Sequence, residues 1–216
     1  MENGYEKRGY LLDAFRLFHL KDSSGTKFNY HYHEFYKLLF LRSGSGGYSV
    51  EGQRYTLEAG DVVLVGSQCV HRPEFEKGML YERVIIYISP QFLEEHSTPD
   101  CPLADIFNGK SGHVLHLSDP EAIWSLSDAL EQELAGNDYG RALRSNSLLL
   151  MLFIEIARNI QHSLKNYQQG DHFRHLSELY EANELTSAIN RIVEDINHRF
   201  TIAVLTQDFK SSDLSL

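Results

Sequence analysis

Between residues 36 and 88 the chain is a series of short apolar runs, broken by turn residues every eight to ten positions. Tyr36-Lys37-Leu38-Leu39-Phe40-Leu41 ends at Ser43-Gly44-Ser45-Gly46-Gly47, and Tyr48-Ser49-Val50 meets the short turn Glu51-Gly52-Gln53, where glycine supplies a positive φ. Arg54-Tyr55-Thr56-Leu57, Val62-Val63-Leu64-Val65, Val70 to Phe75 and Leu80 to Ile88 continue the pattern. Closely spaced short strands rich in aromatic and β-branched residues predict a sandwich or barrel. A βαβ fold would need helical stretches between the strands, and the sequence offers none there.

Downstream the period changes. Ser118-Asp119-Pro120-Glu121 reads as a helix start, capped by Ser118 or Asp119. Ile123, Leu126, Leu130 and Leu134 then fall on one face, until Gly136 to Gly140 breaks the helix. A second helix is predicted from about Arg141 to about Tyr167. Leu143, Leu149, Leu150, Phe153, Ile154, Ala157, Ile160 and Leu164 give it a wide apolar face, to be buried on the barrel, on the preceding helix or in a dimer.

The segments are therefore an N-terminal arm over 1–20, a barrel over 10–117, a helical dimerisation region over 118–168, a polar linker over 169–183 and a third segment over 184–216. Residues 1–20 contain Tyr5, Tyr10, Phe15 and Phe18, which would let an arm fold onto a pocket. In the last segment Ile189, Ile192, Val193 and Ile196 mark an amphipathic helix, and Ser211-Ser212-Asp213 reads as the cap of another.

Composition excludes several classes. The formal charge of −10 disfavours general nucleic-acid binding. From Glu184 onward the basic residues are Arg191, Arg199 and Lys210, against the acidic Glu184, Glu194, Asp195, Asp208 and Asp213. That balance leaves no phosphate-binding footprint. The longest apolar run, Leu148 to Ile154, is too short to span a membrane, and the N-terminus has no signal-peptide pattern. Cys69 and Cys101 form no metal or redox spacing, so a reducing cytoplasm is the expected setting. The sequence has no phosphate-binding glycine loop, catalytic triad order or paired-carboxylate motif.

Two patterns resemble one family. His31-Tyr32-His33-Glu34-Phe35-Tyr36-Lys37-Leu38, Gly44 to Gly47, Tyr55 to Val65 with Leu57-Glu58-Ala59-Gly60-Asp61, and then His71 are similar to the cupin barrel that forms the sensor of AraC-type transcription regulators. Leu205 to Asp213 resembles the start of that family's helix-turn-helix domain, with Thr206 where alanine is usual. The order of the two patterns extends the resemblance over nearly the whole chain. The fold it implies is mainly β plus α: a cupin-like barrel, antiparallel dimerisation helices and the first part of a helix-turn-helix domain. The recognition helix would stop within a turn of Ser212, short of the side chains that read base edges.

The function implied is a ligand-responsive regulator, not an enzyme. Its barrel would enclose a small-molecule effector, such as a sugar or another small polar molecule, and its helices would form a homodimer. DNA binding would belong to the full-length regulator. The effector-binding residues expected are His31, His33, Tyr36, Arg42, Tyr48, His71 and Arg72. Tyr30 and Tyr32 are further polar-tipped residues near the barrel.

The same resemblance places His31, His33 and His71 where metal-binding cupins keep three histidine ligands. Alternation along a strand puts His31 and His33 on one face, where three neutral imidazoles suit zinc, iron, nickel or copper. Metal cupins add a glutamate four or five residues after the second histidine, but here those positions are Lys37 and Leu38. No cofactor is therefore expected. The alternatives are a metal-dependent cupin enzyme built on His31, His33 and His71, and a module that only dimerises.

Overall fold

The structure is a computed structural model, which describes residues 5–23, 28–110, 112–117 and 119–168. Ser118, the linker over 169–183 and the segment over 184–216 lie outside the described residues. The chain divides into a unit over Met1–Leu164 and another over Lys165–Leu216.

Among its described residues the first unit has ten strands: β1 (Glu6–Lys7), β2 (Phe15–Asp22), β3 (His31–Tyr32), β4 (Tyr36–Ser43), β5 (Gly46–Val50), β6 (Gln53–Leu57), β7 (Asp61–Val65), β8 (His71–Glu74), β9 (Tyr81–Ile88) and β10 (Val114–His116). They form two five-stranded sheets, in the orders β1-β3-β8-β5-β6 and β10-β7-β4-β9-β2. The helices are α1 (Pro90–His96), α2 (Glu121–Ala135) and α3 (Arg141–Gln168), with a 3₁₀ turn at Leu103–Phe107.

The continuous apolar runs mark strands covered on both faces. In the second sheet Leu39, Leu41, Val63, Val65 and Ile85 face the first sheet, where Tyr48, Val50, Leu57 and Phe75 meet them. On the opposite face Leu38, Phe40, Val62, Leu64, Val84, Ile86 and Ile88 pack with Phe92, Phe107, Ile123, Leu130, Leu149, Leu152, Phe153 and Ile156 of the helical layer. Each such side chain stabilises the fold by roughly 1.5–3 kcal/mol when fully buried. The outer face of the first sheet carries the polar Arg54, Thr56, Arg72 and Glu74, half-buried or exposed.

The β5–β6 hairpin turns through Glu51 and Gly52, both at positive φ (49° and 81°), with Val50 opposite Gln53. That is the two-residue turn whose twist matches the flanking strands.

Four expectations need adjustment. Phe15–Asp22 pairs along its length with β9, so that part of the expected arm is a sheet strand. α1 and the 3₁₀ turn lie between β9 and β10, where no helix was expected; both are too short to show a helical period. α2 begins at Glu121 with Pro120 at its cap, and Asp119 accepts from the Glu121 N–H at 3.2 Å. In α3 the buried positions are Leu149, Leu152, Phe153 and Ile156, whereas Leu143 is 74% exposed, Met151 52% and Ile154 37%. None of the described helices is long and apolar enough to cross a membrane.

Candidate functional site

One end of the space between the sheets is polar. β3 and β8 pair His31 directly with His71, and β5 sets Val50 beside His71. Tyr48, two residues before Val50, therefore shares their inward face. The opposing sheet contributes Lys37 from β4 and, next to it in register, Tyr87 from β9. Ring centroids are 4.3 Å apart for His31 and His71, and 4.7 Å for His33 and His71. Tyr48 lies parallel to His71 at 6.0 Å. His31, His33, Lys37, Tyr48 and His71 are all buried.

The imidazoles are held from behind. Nδ1 of His31 lies 2.8 Å from the Asn29 carbonyl, that of His33 2.6 Å from Phe35 O, and that of His71 3.0 Å from Cys69 O. A carbonyl only accepts, so each Nδ1 carries the proton and each Nε2 of the neutral ring is left as an acceptor. His33 Nε2 and His71 Nε2 are buried with no hydrogen-bond partner among the described residues. Most buried polar atoms are paired, so two unpartnered acceptors side by side single out this cluster as a candidate site.

Burial, reinforced by the positive charge of Lys37, pushes His33 down to about 3 and His71 to about 2. Burial lowers His31 as well. The rings therefore stay neutral at physiological pH. Burial also pulls the Lys37 ammonium down to about 7, with Arg83 adding repulsion. Lys37 Nζ donates to the Tyr48 hydroxyl at 2.9 Å, and burial raises the Tyr48 pKa, keeping the phenol protonated. Among the described residues no carboxylate pairs with Lys37.

Phe35 closes this end. Its ring stacks on His33 at 4.0 Å and 8°, and touches Tyr87 at 4.5 Å. Behind it stands Gly9, at φ 73°, where a Cβ would lie 3.6 Å from Phe35 Cζ, in ordinary van der Waals contact. The Arg8 N–H donates to the Tyr32 carbonyl at 2.8 Å, and Lys7 pairs with Glu34 at 2.6 Å. Residues 6–9 thus run beside β3 at the closed end.

Of the seven effector-site residues expected, four converge here: His31, His33, Tyr48 and His71. Three do not, because strand parity turns them away. Tyr36 points to the helical layer, 4.9 Å from Phe107. Arg42 forks onto the Asp128 carboxylate of α2, with one contact at 3.0 Å, and lies over Trp124. Arg72 lies on the outer face of the first sheet, over Tyr30 and bonded to Glu74 at 3.1 Å. There it lines an open cavity of about 660 Å³ with Arg54, Glu74 and Phe75. Glu74 already pairs with both arginines of that cavity, whereas the buried cluster has atoms left unsatisfied. Lys37, Phe35 and Tyr87 were not expected at the site. For Lys37 the signal was its phase with Leu39 and Leu41 in β4.

The donor set does not fit the metal site of a cupin. Among the described residues no three His, Cys, Asp or Glu side chains are grouped so as to hold a metal ion. Where such sites place a carboxylate, this one has Lys37, which offers no oxygen ligand and repels a cation while it is protonated.

A family model described as the AraC-like ligand binding domain matches residues 17–153. No curated protein matches the chain. Among solved structures it is similar to a cupin 2 conserved barrel domain protein from Salinispora arenicola, at 16% identity and a TM-score of 0.34, over 39% of this chain and 71% of that one. It is also similar to a cupin with a double-stranded β-helix fold from Methanocaldococcus jannaschii, at 17% identity and a TM-score of 0.32, over 35% and 70% of the two chains. The match to residues 17–153 takes in every strand from β3 to β10, the histidine cluster, α2 and the first half of α3, and the chain belongs to the family of AraC-like ligand binding domains.

Proposed function

We propose that this chain is the effector-sensing and dimerising part of an AraC-type transcription regulator, acting in the cytoplasm and without enzymatic activity. The observation that carries the reading is the pair of buried, unpartnered Nε2 atoms on His33 and His71, in a cluster that holds a buried lysine instead of a metal-ligating carboxylate. A small polar effector would supply the missing hydrogen bonds, with His31, Lys37 and Tyr48 completing its shell. Sugars and their acids belong to this class, since a hydroxyl donates to an Nε2.

The route to a response is short. Phe35 lies between His33 and Gly9, so an effector that displaces the ring would disturb residues 6–9. Such a shift needs an effector that binds one arrangement more tightly than the other. The homodimer would form through α3, where Leu143, Met151 and Ile154 follow one another at helical spacing on an exposed face. DNA binding is assigned to the full-length regulator, through the helix-turn-helix segment expected from residue 184.

The test is a thermal-shift screen of small polar metabolites against the chain and its His71→Phe variant. The expected result is stabilisation by one chemical class in the native chain, lost in the variant. Equal shifts in both would place the effector elsewhere.

A further inference from the structure

The closed end of the barrel has two kinds of unmet demand. His33 and His71 each commit Nδ1–H to a carbonyl, and their Nε2 atoms, buried and unpartnered, call for hydrogen-bond donors. Lys37 calls for the opposite. Its ammonium has three donors and gives one to Tyr48, and no carboxylate pairs with it among the described residues. Arg83 adds like-charge repulsion to the cost of its burial.

These demands select a chemical class. A neutral polyol offers donors to the imidazoles but leaves the ammonium without a counter-charge. A plain carboxylate neutralises the ammonium but sets its oxygen lone pairs against those of Nε2. Only a molecule with both functions meets both demands. Burial strengthens the preference, because an unmet polar group costs more in a low-dielectric interior than at the surface.

We infer that the effector is a small hydroxy acid, its carboxylate on Lys37 and its hydroxyls donating to Nε2 of His33 and His71. The inference rests on the effector-site reading above and names the ligand class within it. The acid takes the place of the Phe35 ring, which stacks on His33 and packs against Tyr87 and the side-chain-free Gly9. Turning that ring aside frees the volume of a phenyl group, enough for a short-chain acid.

The experiment is calorimetric titration of the whole chain with matched probes. Glycerate is set against glycerol, lactate against propionate, and galacturonate against galactose. At least one hydroxy acid is expected to bind roughly ten- to a hundredfold more tightly than its partner. Lys37→Met keeps the side-chain volume and removes a buried charge, so it preserves the fold while abolishing the preference. If the neutral or hydroxyl-free partner binds as well as the acid, or if the preference survives in Lys37→Met, the inference is wrong. Galactose binding without galacturonate binding would overturn the hydroxy acid and leave the effector site standing. If no probe binds, the inference fails; if His71→Phe also leaves every thermal shift unchanged, the effector site fails with it.

Discussion

The rings of His33 and His71 meet edge to face at 4.7 Å, each anchored by its Nδ1 and each with a buried Nε2 left unpaired. Burial, with Lys37 nearby, holds both pKa values far below the ordinary histidine value. The unfolded chain takes up protons as the pH falls below about 6.5, and the folded chain does not until about 3. Stability is therefore expected to fall steadily across that window, as measured by denaturant midpoints between pH 7 and 4. His71→Phe should flatten the slope.

Lys37 acts in the other direction. Its folded pKa of about 7 lies well below the unfolded value near 10.5. The unfolded state holds the extra proton between those values, so the burial penalty is complete below pH 7 and fades as pH rises toward 10.5. Lys37→Met is accordingly expected to raise the melting temperature, with the largest gain below pH 7 and little gain near pH 10. A gain that does not change with pH would mean that the lysine is paired.

Much of this architecture was legible in the sequence. The runs at Leu38–Leu41 and Val62–Val65 read as buried strands because both faces of each are covered, and the Glu51-Gly52 turn read correctly from its glycine. The three histidines came together because His31 and His33 alternate on one face and His71 pairs across. Tyr36, Arg42 and Arg72 lie away from the histidine cluster for a single reason. Each lies one position out of phase with a residue that does point inward: Tyr36 with Lys37, Arg42 with Leu41, and Arg72 with His71. Lys37 was legible only as a poor metal ligand, since charge alone does not tell a solvated lysine from a buried one. Phe35 stood in the family-like pattern with no role of its own, because its stacking on His33 depends on how the chain leaves β3.

His19 ties the barrel to α2. Its Nδ1 lies 2.8 Å from Glu131 and its Nε2 2.9 Å from Glu82, so only the doubly protonated ring can donate to both. Burial acts to lower its pKa, but the hydrogen bonds to Glu131 and Glu82 outweigh it and the net shift is upward. The stabilisation is full below pH 6.5 and is lost as pH rises through the raised value. Titration of the ring by NMR should give a pKa above 6.5, and His19→Gln should remove that part of the pH dependence.

Arg42 is a second tie to α2, through Asp128 and Trp124. Asp128 is partly exposed, so Arg42→Ala is expected to cost only about 1 kcal/mol of stability. It should leave effector affinity unchanged, because Arg42 lies on the other face of β4 from Lys37. Chemical denaturation together with ligand titration checks both halves.

The exposed stripe on α3 can be tested by sedimentation. Met151→Glu combined with Ile154→Glu is expected to weaken the dimer at least about tenfold while leaving the melting profile of the barrel unchanged. Unaltered association would move the interface off this face.

The most direct test of the account is the ¹⁵N resonance of the His33 and His71 imidazoles, followed as an effector found by thermal shift is added. The expected result is that both Nε2 signals begin as bare acceptors and move on binding, while the Nδ1 signals stay where the carbonyls hold them. If the effector binds and neither Nε2 responds, the polar end of the barrel is not where this protein senses.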